Sequence, residues 1–380
     1  MGKRSNASGK TGRTARIPAA RASAAATAAY AARWRDEYVP DFHRTTRTGL
    51  TASSLALGTY LGESDAATDA AYAETVRHAV THGMNLVDTA INYRSQRAER
   101  TIGRALGELF ATNAVQREEV VLCTKGGYIP LDEVPPPTRE AYQQYLEREY
   151  LAPGILQPGE IVGGAHSLAP KFIGDQVQRS LRNLGVDAVD YFYLHNPEQQ
   201  LSAVAPDELY ARVRAAFEML ESCVAAGKIG AYGCATWNGL RLPAESQGHL
   251  SLFRLEEAAR EVAGERHHFR IVQLPLSLGM SEAVRVSTQR DAKGRLITVV
   301  QAAERLGLDV VASAPLIQGK LTQDLPDSVR QMFPGATDAQ RALAFTRSAP
   351  GVTAVAVGTR QRAHLEENLS ALRRGAESAN

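Results

Sequence analysis

The chain has 380 residues, 44% hydrophobic and 22% charged, with a formal net charge of +2. Such a chain can bury a large core without staples, and no apolar run reaches the roughly 18 residues that cross a bilayer. Cys123, Cys223 and Cys234 have neither the pairing of a disulfide framework nor the spacing of a Cys/His zinc cluster, so no metal is expected.

Eight basic residues, from Lys3 to Arg35, precede the first acid, Asp36. The body beyond them is mildly acidic and shows no basic face for nucleic acid. Residues 1–40 read as a flexible Ala/Arg-rich arm. Alanine favours helix after Ile17, and the Arg-rich, acid-poor composition also fits an organelle transit peptide. The flexible-tail reading is preferred, with the protein in the cytoplasm.

Residues 41–375 read as one domain. Short alternating runs around Thr48 and Gly49 predict a hairpin, which leads into a strand at 54–58. Tyr72, Val76, Ala79 and Val80 fall on one helix face, and Gly83 sits where such a helix stops. A buried strand at 85–88 precedes a helix at 98–110. The alternation continues with strands at 120–125, 189–195, 231–235, 270–275, 309–313 and 352–357. Helices are predicted at 171–184, 209–224, 250–262, 297–306, 339–347 and 362–372.

These are eight strand-then-helix units. Apolar strands alternating with amphipathic helices imply a parallel sheet covered by helices, and eight such units predict a closed α/β barrel of the (β/α)8 type. An open doubly wound sheet would need a phosphate loop running from strand into helix. The nearest glycine cluster, Gly227 to Gly233, runs from helix into strand and reads as a helix cap and a tight turn. Long connections at about 126–170 and 314–338 follow strand C-termini, where barrel enzymes keep their sites, and read as lids.

Asp88 ends the second strand, and Tyr93 follows five residues later. Lys125 ends the third strand and His195 the fourth. Adjacent strands thus deliver a carboxylate, a phenol, an ammonium and an imidazole to one mouth. A phenol titrates near 10, and a neighbouring ammonium lowers that value. The carboxylate fixes the ammonium, and an imidazole N–H orients a carbonyl oxygen. The set suits proton donation during reduction by hydride. At the last strand, Gly358, Thr359, Arg360 and Arg362 open the final helix and read as an anion site.

The run from Gly83 to Tyr93, with Asp88-Thr89-Ala90, resembles the aldo-keto reductase signature. Thr124-Lys125 resembles that family's next strand end. The segment from Ser180 to His195-Asn196-Pro197 is similar to its helix and strand ending in the active-site histidine. Ala314-Pro315-Leu316 with Gly319 and Leu321 resembles its Ser-Pro-Leu loop, and Gly358 through Glu367-Asn368 its cofactor-closing helix. The resemblance spans about residues 41–372.

It implies hydride transfer between NAD(P)H and a small carbonyl or alcohol, with NADPH expected over NADH. Tyr93 would be the general acid/base, tuned by Lys125 and Asp88, with His195 orienting the carbonyl. Gly58, Thr59, Thr236, Gln273 and Ser313 would line the nicotinamide. Pro315, Leu316, Gly358, Thr359, Arg360, His364, Glu367 and Asn368 would hold the rest of the cofactor. Tyr60, Tyr128, His166, Asn196 and Trp237 are the candidate substrate wall. Three positions depart from the family: Ala235-Thr236 where Ser-Asn is common, Ser313 where many members stack an aromatic ring, and His364 where Arg is frequent. Three rivals remain open: a catalytically idle, cofactor-binding regulatory barrel, a dehydrogenase working mainly in alcohol oxidation, and a barrel with Lys125 as a Schiff base.

Overall fold

The structure is a computed structural model, and it describes residues 21–132 and 134–375. The strands are, in chain order, β1 (His43–Thr45), β2 (Thr51–Ser53), β3 (Leu55–Gly58), β4 (Leu86–Asp88), β5 (Val121–Gly126), β6 (Val189–His195), β7 (Ile229–Ala235), β8 (Phe269–Pro275), β9 (Gln289–Arg290), β10 (Leu296–Ile297), β11 (Asp309–Ser313) and β12 (Ala354–Gly358). Eight of them close into a parallel barrel in the order β3-β4-β5-β6-β7-β8-β11-β12, with β12 returning to β3. β9 and β10 form a separate antiparallel ribbon, which the sequence reading did not anticipate.

Side chains alternate along each strand between two cores, as the period of two requires. Tyr191 and Tyr193 of β6 point into the barrel with Leu86, Val121, Ala231, Ile271 and Val311. Phe192 and Leu194 point outward into the layer beneath the helices. The β1–β2 hairpin closes one end, and its Leu50 and Ala52 join the inner cluster. Gly233 is a residue of β7, not a turn. A Cβ there would lie 1.8 Å from the Ile271 carbonyl oxygen, so only glycine allows β8 to approach at this irregular register. Gly227 is the helix stop expected, at φ 71°.

The expectation of a flexible arm is corrected for residues 21–40; residues 1–20 lie outside the described residues. Ser23 caps the helix Ala24–Arg33, and Thr27 and Tyr30 on it are buried. The Tyr30 hydroxyl donates to the Val80 carbonyl at 2.6 Å, and the Tyr38 hydroxyl to the His82 carbonyl at 2.8 Å. The Ala22 N–H donates to Asp190 at 2.7 Å, and Arg33 pairs with Glu119. Aromatic burial between alanines therefore straps this segment across the N-terminal ends of the strands.

The loop at 126–170 is likewise largely packed on the barrel wall. Tyr145 donates to the Pro130 carbonyl, and Tyr150 is fully buried against Phe172. Among the described residues of this segment only Tyr128 lines the main cleft, whereas residues 314–320 line it continuously.

At the closed end, Asp309 accepts from the Arg47 N–H at 2.8 Å and the Thr353 hydroxyl at 2.9 Å. Burial outweighs these bonds and pushes the carboxyl up to about 6. The native state therefore holds this proton more tightly than the unfolded chain. The stability it confers is present at low pH and is lost as pH rises through about 6. In denaturant melts, the wild type should gain about 2 kcal/mol on Asp309→Asn between pH 7 and pH 4. Parallel stability curves would refute this.

Candidate active site

The strand order places β4, β5 and β6 side by side, with Asp88 paired to Cys123 and Lys125 to Tyr193. Lys125 is fully buried at the end of β5 and donates to Asp88 Oδ2 at 2.7 Å and to the Thr89 carbonyl at 2.8 Å. Gln273 of β8 donates to the other Asp88 oxygen at 3.0 Å. Tyr93 stands above this pair, with Lys125 Nζ 5.1 Å from its ring centre. The His195 ring meets Tyr93 edge-on at 5.8 Å.

Burial opposes the charge on Lys125, but Asp88 and Tyr93 more than offset it and the ammonium is held above its usual value. Burial likewise raises the Tyr93 phenol, and the nearby ammonium pulls it down only in part. The expected net lowering of Tyr93 is therefore not what this cleft produces. Its hydroxyl stays protonated at neutral pH, the form a donor needs. Burial and the positive Lys125 push His195 well below the ordinary imidazole value, so it is neutral.

The segment after Tyr93 is strained. Arg94, Ser95 and Gln96 are three consecutive non-glycine residues at φ 48°, 53° and 67°, each costing about 1 kcal/mol or more. Arg94 is anchored to Asp69 at 2.7 Å, and the Gln96 amide donates to the Leu131 carbonyl at 3.0 Å. These contacts hold the loop that aims Tyr93.

A cleft of about 1020 Å³ opens above these groups. Asp88, Tyr93 and His195 line it together with Gly58, Thr59, Thr236, Gln273, Ser313, Pro315, Leu316, Gly358, Thr359, His364, Glu367 and Asn368. Tyr60, Tyr128, Asn196 and Trp237 line it too, with Tyr60 58% and Trp237 47% exposed at the rim. Lys125 lies beneath the floor. Two expected residues stand elsewhere. Arg360 is exposed outside the lining, its guanidinium beside Gly62. His166 is buried under Tyr128, where it donates to the His195 carbonyl at 2.8 Å. The Gln200 amide donates to His166 Nδ1 and so fixes that tautomer.

The cleft suits a flat, amide-bearing ring. Gly58 and Gly358 meet on its floor, where a Cβ on Gly58 would come within 3.3 Å of the Gly358 nitrogen. Thr236 Oγ1, Asn92 Oδ1 and His195 Nδ1 are buried there without a protein partner. Buried polar atoms without partners are costly, and a carboxamide and a reacting oxygen supply what these atoms lack. Nicotinamide therefore fits the residues present.

A model described as "Aldo/keto reductase family" matches residues 54–376. The chain belongs to the aldo/keto reductase family. It is thus an NAD(P)-dependent oxidoreductase of that family. A 6-dehydroglucose reductase of Novosphingobium aromaticivorans is 25% identical over 337 residues, 88% of this chain and 91% of that protein. A putative voltage-gated potassium channel subunit beta of Schizosaccharomyces pombe is 23% identical, covering 86% of each chain. Among solved structures, a holo-form aldo-keto reductase from Bacillus halodurans is 19% identical with a TM-score of 0.57, over 87% of this chain and 90% of that one. One from Klebsiella pneumoniae in complex with NADP and acetate is 20% identical with a TM-score of 0.56, over 89% and 93%.

Sequence reasoning missed Glu198, Asn92, Lys320 and Thr337. Glu198 accepts from the backbone N–H groups of Trp237, Asn238 and Gly239 at 2.7, 3.1 and 3.3 Å, and so shapes the loop carrying Trp237. No signal in a sequence links residues so far apart. Asn92 adjoins Tyr93, and Lys320 lies in the Gly319–Leu321 motif; both were within reach of the motif reading. Thr337 donates to Glu367 at 2.6 Å, a contact set only by the fold.

Proposed function

We propose that this chain reduces the carbonyl of a small polyhydroxylated or sugar-like substrate, with NADPH as hydride source and Tyr93 as proton donor. The observation that carries the reading is the protonated, half-buried Tyr93 between Lys125 and neutral His195 on the wall of the cleft.

Thr236, Gln273 and Asn92 would hold the nicotinamide edge, with Gly58 and Gly358 leaving room for its face. Glu367 and Asn368 would hold the adenosine end. Lys320 and His364, the basic residues lining the cleft beyond the catalytic group, would attract a 2′-phosphate. Arg360 would act there only by reaching in from outside. When bound, the cofactor supplies the hydride. Tyr93 gives its proton to the carbonyl oxygen, while Lys125 steadies the charge left on the phenol. His195 donates a hydrogen bond to the same oxygen and sets the face presented. Asp88 fixes Lys125 and is itself fixed by Gln273.

The rim favours a substrate with both apolar and hydroxyl faces. Tyr60, Tyr128 and Trp237 offer aromatic walls, and Asn196 offers an amide. The relative named 6-dehydroglucose reductase supports the same class. The relative named a potassium channel subunit beta keeps a second reading in view, a cofactor-binding barrel without turnover. The complete Asp88, Tyr93, Lys125 and His195 set counts against it.

Fluorescence titration should give an NADPH Kd at least about 10-fold below that for NADH, worth roughly 1.4 kcal/mol. A carbonyl panel should then show oxo-sugars turned over faster than unsubstituted aliphatic aldehydes. Tight NADPH binding with no turnover across the panel would favour the second reading. Binding of neither cofactor would overturn both.

A further inference from the structure

On the outer wall, away from the cleft, His78 and His82 lie one helical turn apart on the helix Ala66–Thr81 and its C-cap. Glu366 faces them from the last helix, Arg362–Ser370. One ring nitrogen of each histidine and a carboxylate oxygen of Glu366 lie within 4.8 Å of one another. Among the described residues, these form the one group of three or more His, Cys, Asp or Glu side chains so close together. We propose that His78, His82 and Glu366 bind a borderline divalent transition-metal ion, of which Zn2+ is the representative.

Three observations support the site. His82 Nδ1 donates to the His78 carbonyl at 2.8 Å, so its lone pair is left on Nε2. A ring N–H held by a backbone carbonyl is the usual arrangement behind a metal-binding imidazole. The two rings stack at 3.8 Å between centroids, and the Trp34 ring covers His82 from the other side at 6.3 Å. This stacking keeps the two rings together on one face of the helix, from which they can turn toward a shared ion. His78 already touches one Glu366 oxygen, while the other is held by Arg373 at 3.1 Å. The carboxylate is thereby oriented with one oxygen toward the imidazoles.

The donor set selects the ion. Two imidazoles and one carboxylate suit Zn2+, Co2+, Ni2+ or Cu2+, not Mg2+ or Ca2+, which take oxygen ligands. Tetrahedral Zn2+ needs donor atoms roughly 3.3 Å apart, so small side-chain rotations close the site and leave a fourth position for water. Arg373 and Arg362 contribute positive charge nearby, which weakens the hold on a cation and favours exchange. Glu366 precedes Glu367 and Asn368, which line the cleft. An ion here would tie the first barrel helix to the helix that carries those two residues. The spacing of His78 and His82 was visible in the sequence, but Glu366 lies 288 residues from His78.

The test uses the full chain without a histidine tag. Calorimetric titration with ZnCl2 should show one ion per chain, and saturating Zn2+ should raise Tm by about 3 °C. Co2+ should give the visible absorption of a tetrahedral nitrogen- and oxygen-ligated site. His82→Ala and Glu366→Gln should each weaken Zn2+ binding at least about 10-fold. His82 is only partly buried, so its variant should fold even where a His78 variant fails. No stoichiometric binding by the wild type would overturn the proposal. Equally, affinity unchanged in both variants would place the ion elsewhere and overturn it.

Discussion

Tyr93→Phe should lower kcat for NADPH-linked reduction by about 10³-fold, roughly 4 kcal/mol in the barrier, while NADPH affinity stays within a few fold. The phenyl ring keeps its contacts with Tyr60 at 5.1 Å and His195 at 5.8 Å, so the cleft wall survives and only the proton is lost. Because burial holds the phenol above its ordinary value, the wild-type reduction rate should be flat through neutral pH. It should fall only where a phenol above 10 begins to ionise. Lys125→Met removes the one charge that pulls the phenol down, and should move the falling limb further up. It also leaves the Asp88 carboxylate buried without its cation, a loss of about 3–5 kcal/mol in stability. Single-turnover rates with NADPH pre-bound separate these outcomes. Near-wild-type turnover by Tyr93→Phe would remove Tyr93 from the proton-donor role.

The barrel was legible because a fully buried parallel strand leaves an apolar run with an abrupt polar end. Asp88 and His195 are the terminal residues of β4 and β6, and Lys125 is one residue short of the end of β5. A charged residue closing such a run belongs at the mouth, so convergence followed once the strands were counted. The resemblance supplied roles, and the fold supplied the consequences that roles do not contain. Tyr93 is an example: the expected effect of Lys125 is present, but desolvation is larger, and desolvation is a property of the closed cleft.

What the sequence concealed has common physical causes. Arg94, Ser95 and Gln96 take left-handed backbone without a glycine to announce it, because the Arg94–Asp69 pair holds the strained loop from another helix. His166 carried the right residue type at the right end of the barrel, yet its hydrogen bonds turn it inward, beneath Tyr128. The loop at 126–170 had the length of a lid, but its tyrosines bond carbonyls within the loop itself, and Tyr150 packs on Phe172 of the wall. The arm was misread because composition dominates there: alanines and arginines diluted Tyr30, Trp34 and Tyr38, whose spacing of four residues is an aromatic stripe.

That stripe makes the second large effect. Tyr30→Ala should cost about 3–5 kcal/mol, the range for emptying a buried aromatic site, and lower Tm by roughly 5–10 °C. The side chain is fully buried, packs near Trp34 and His43 at 6.3 and 6.1 Å, and binds the Val80 carbonyl. Tyr30→Phe should cost only about 1 kcal/mol, the worth of that single hydrogen bond. The difference between the two variants measures how much of the strap is apolar burial. Turnover per folded molecule should be unchanged in both, since the strap crosses the N-terminal ends of the strands and the cleft opens at the other end. A Tyr30→Ala protein as stable as the wild type would mean that the docked segment contributes order without stability. The flexible-arm boundary at residue 40 would then describe its energetics better than its geometry does.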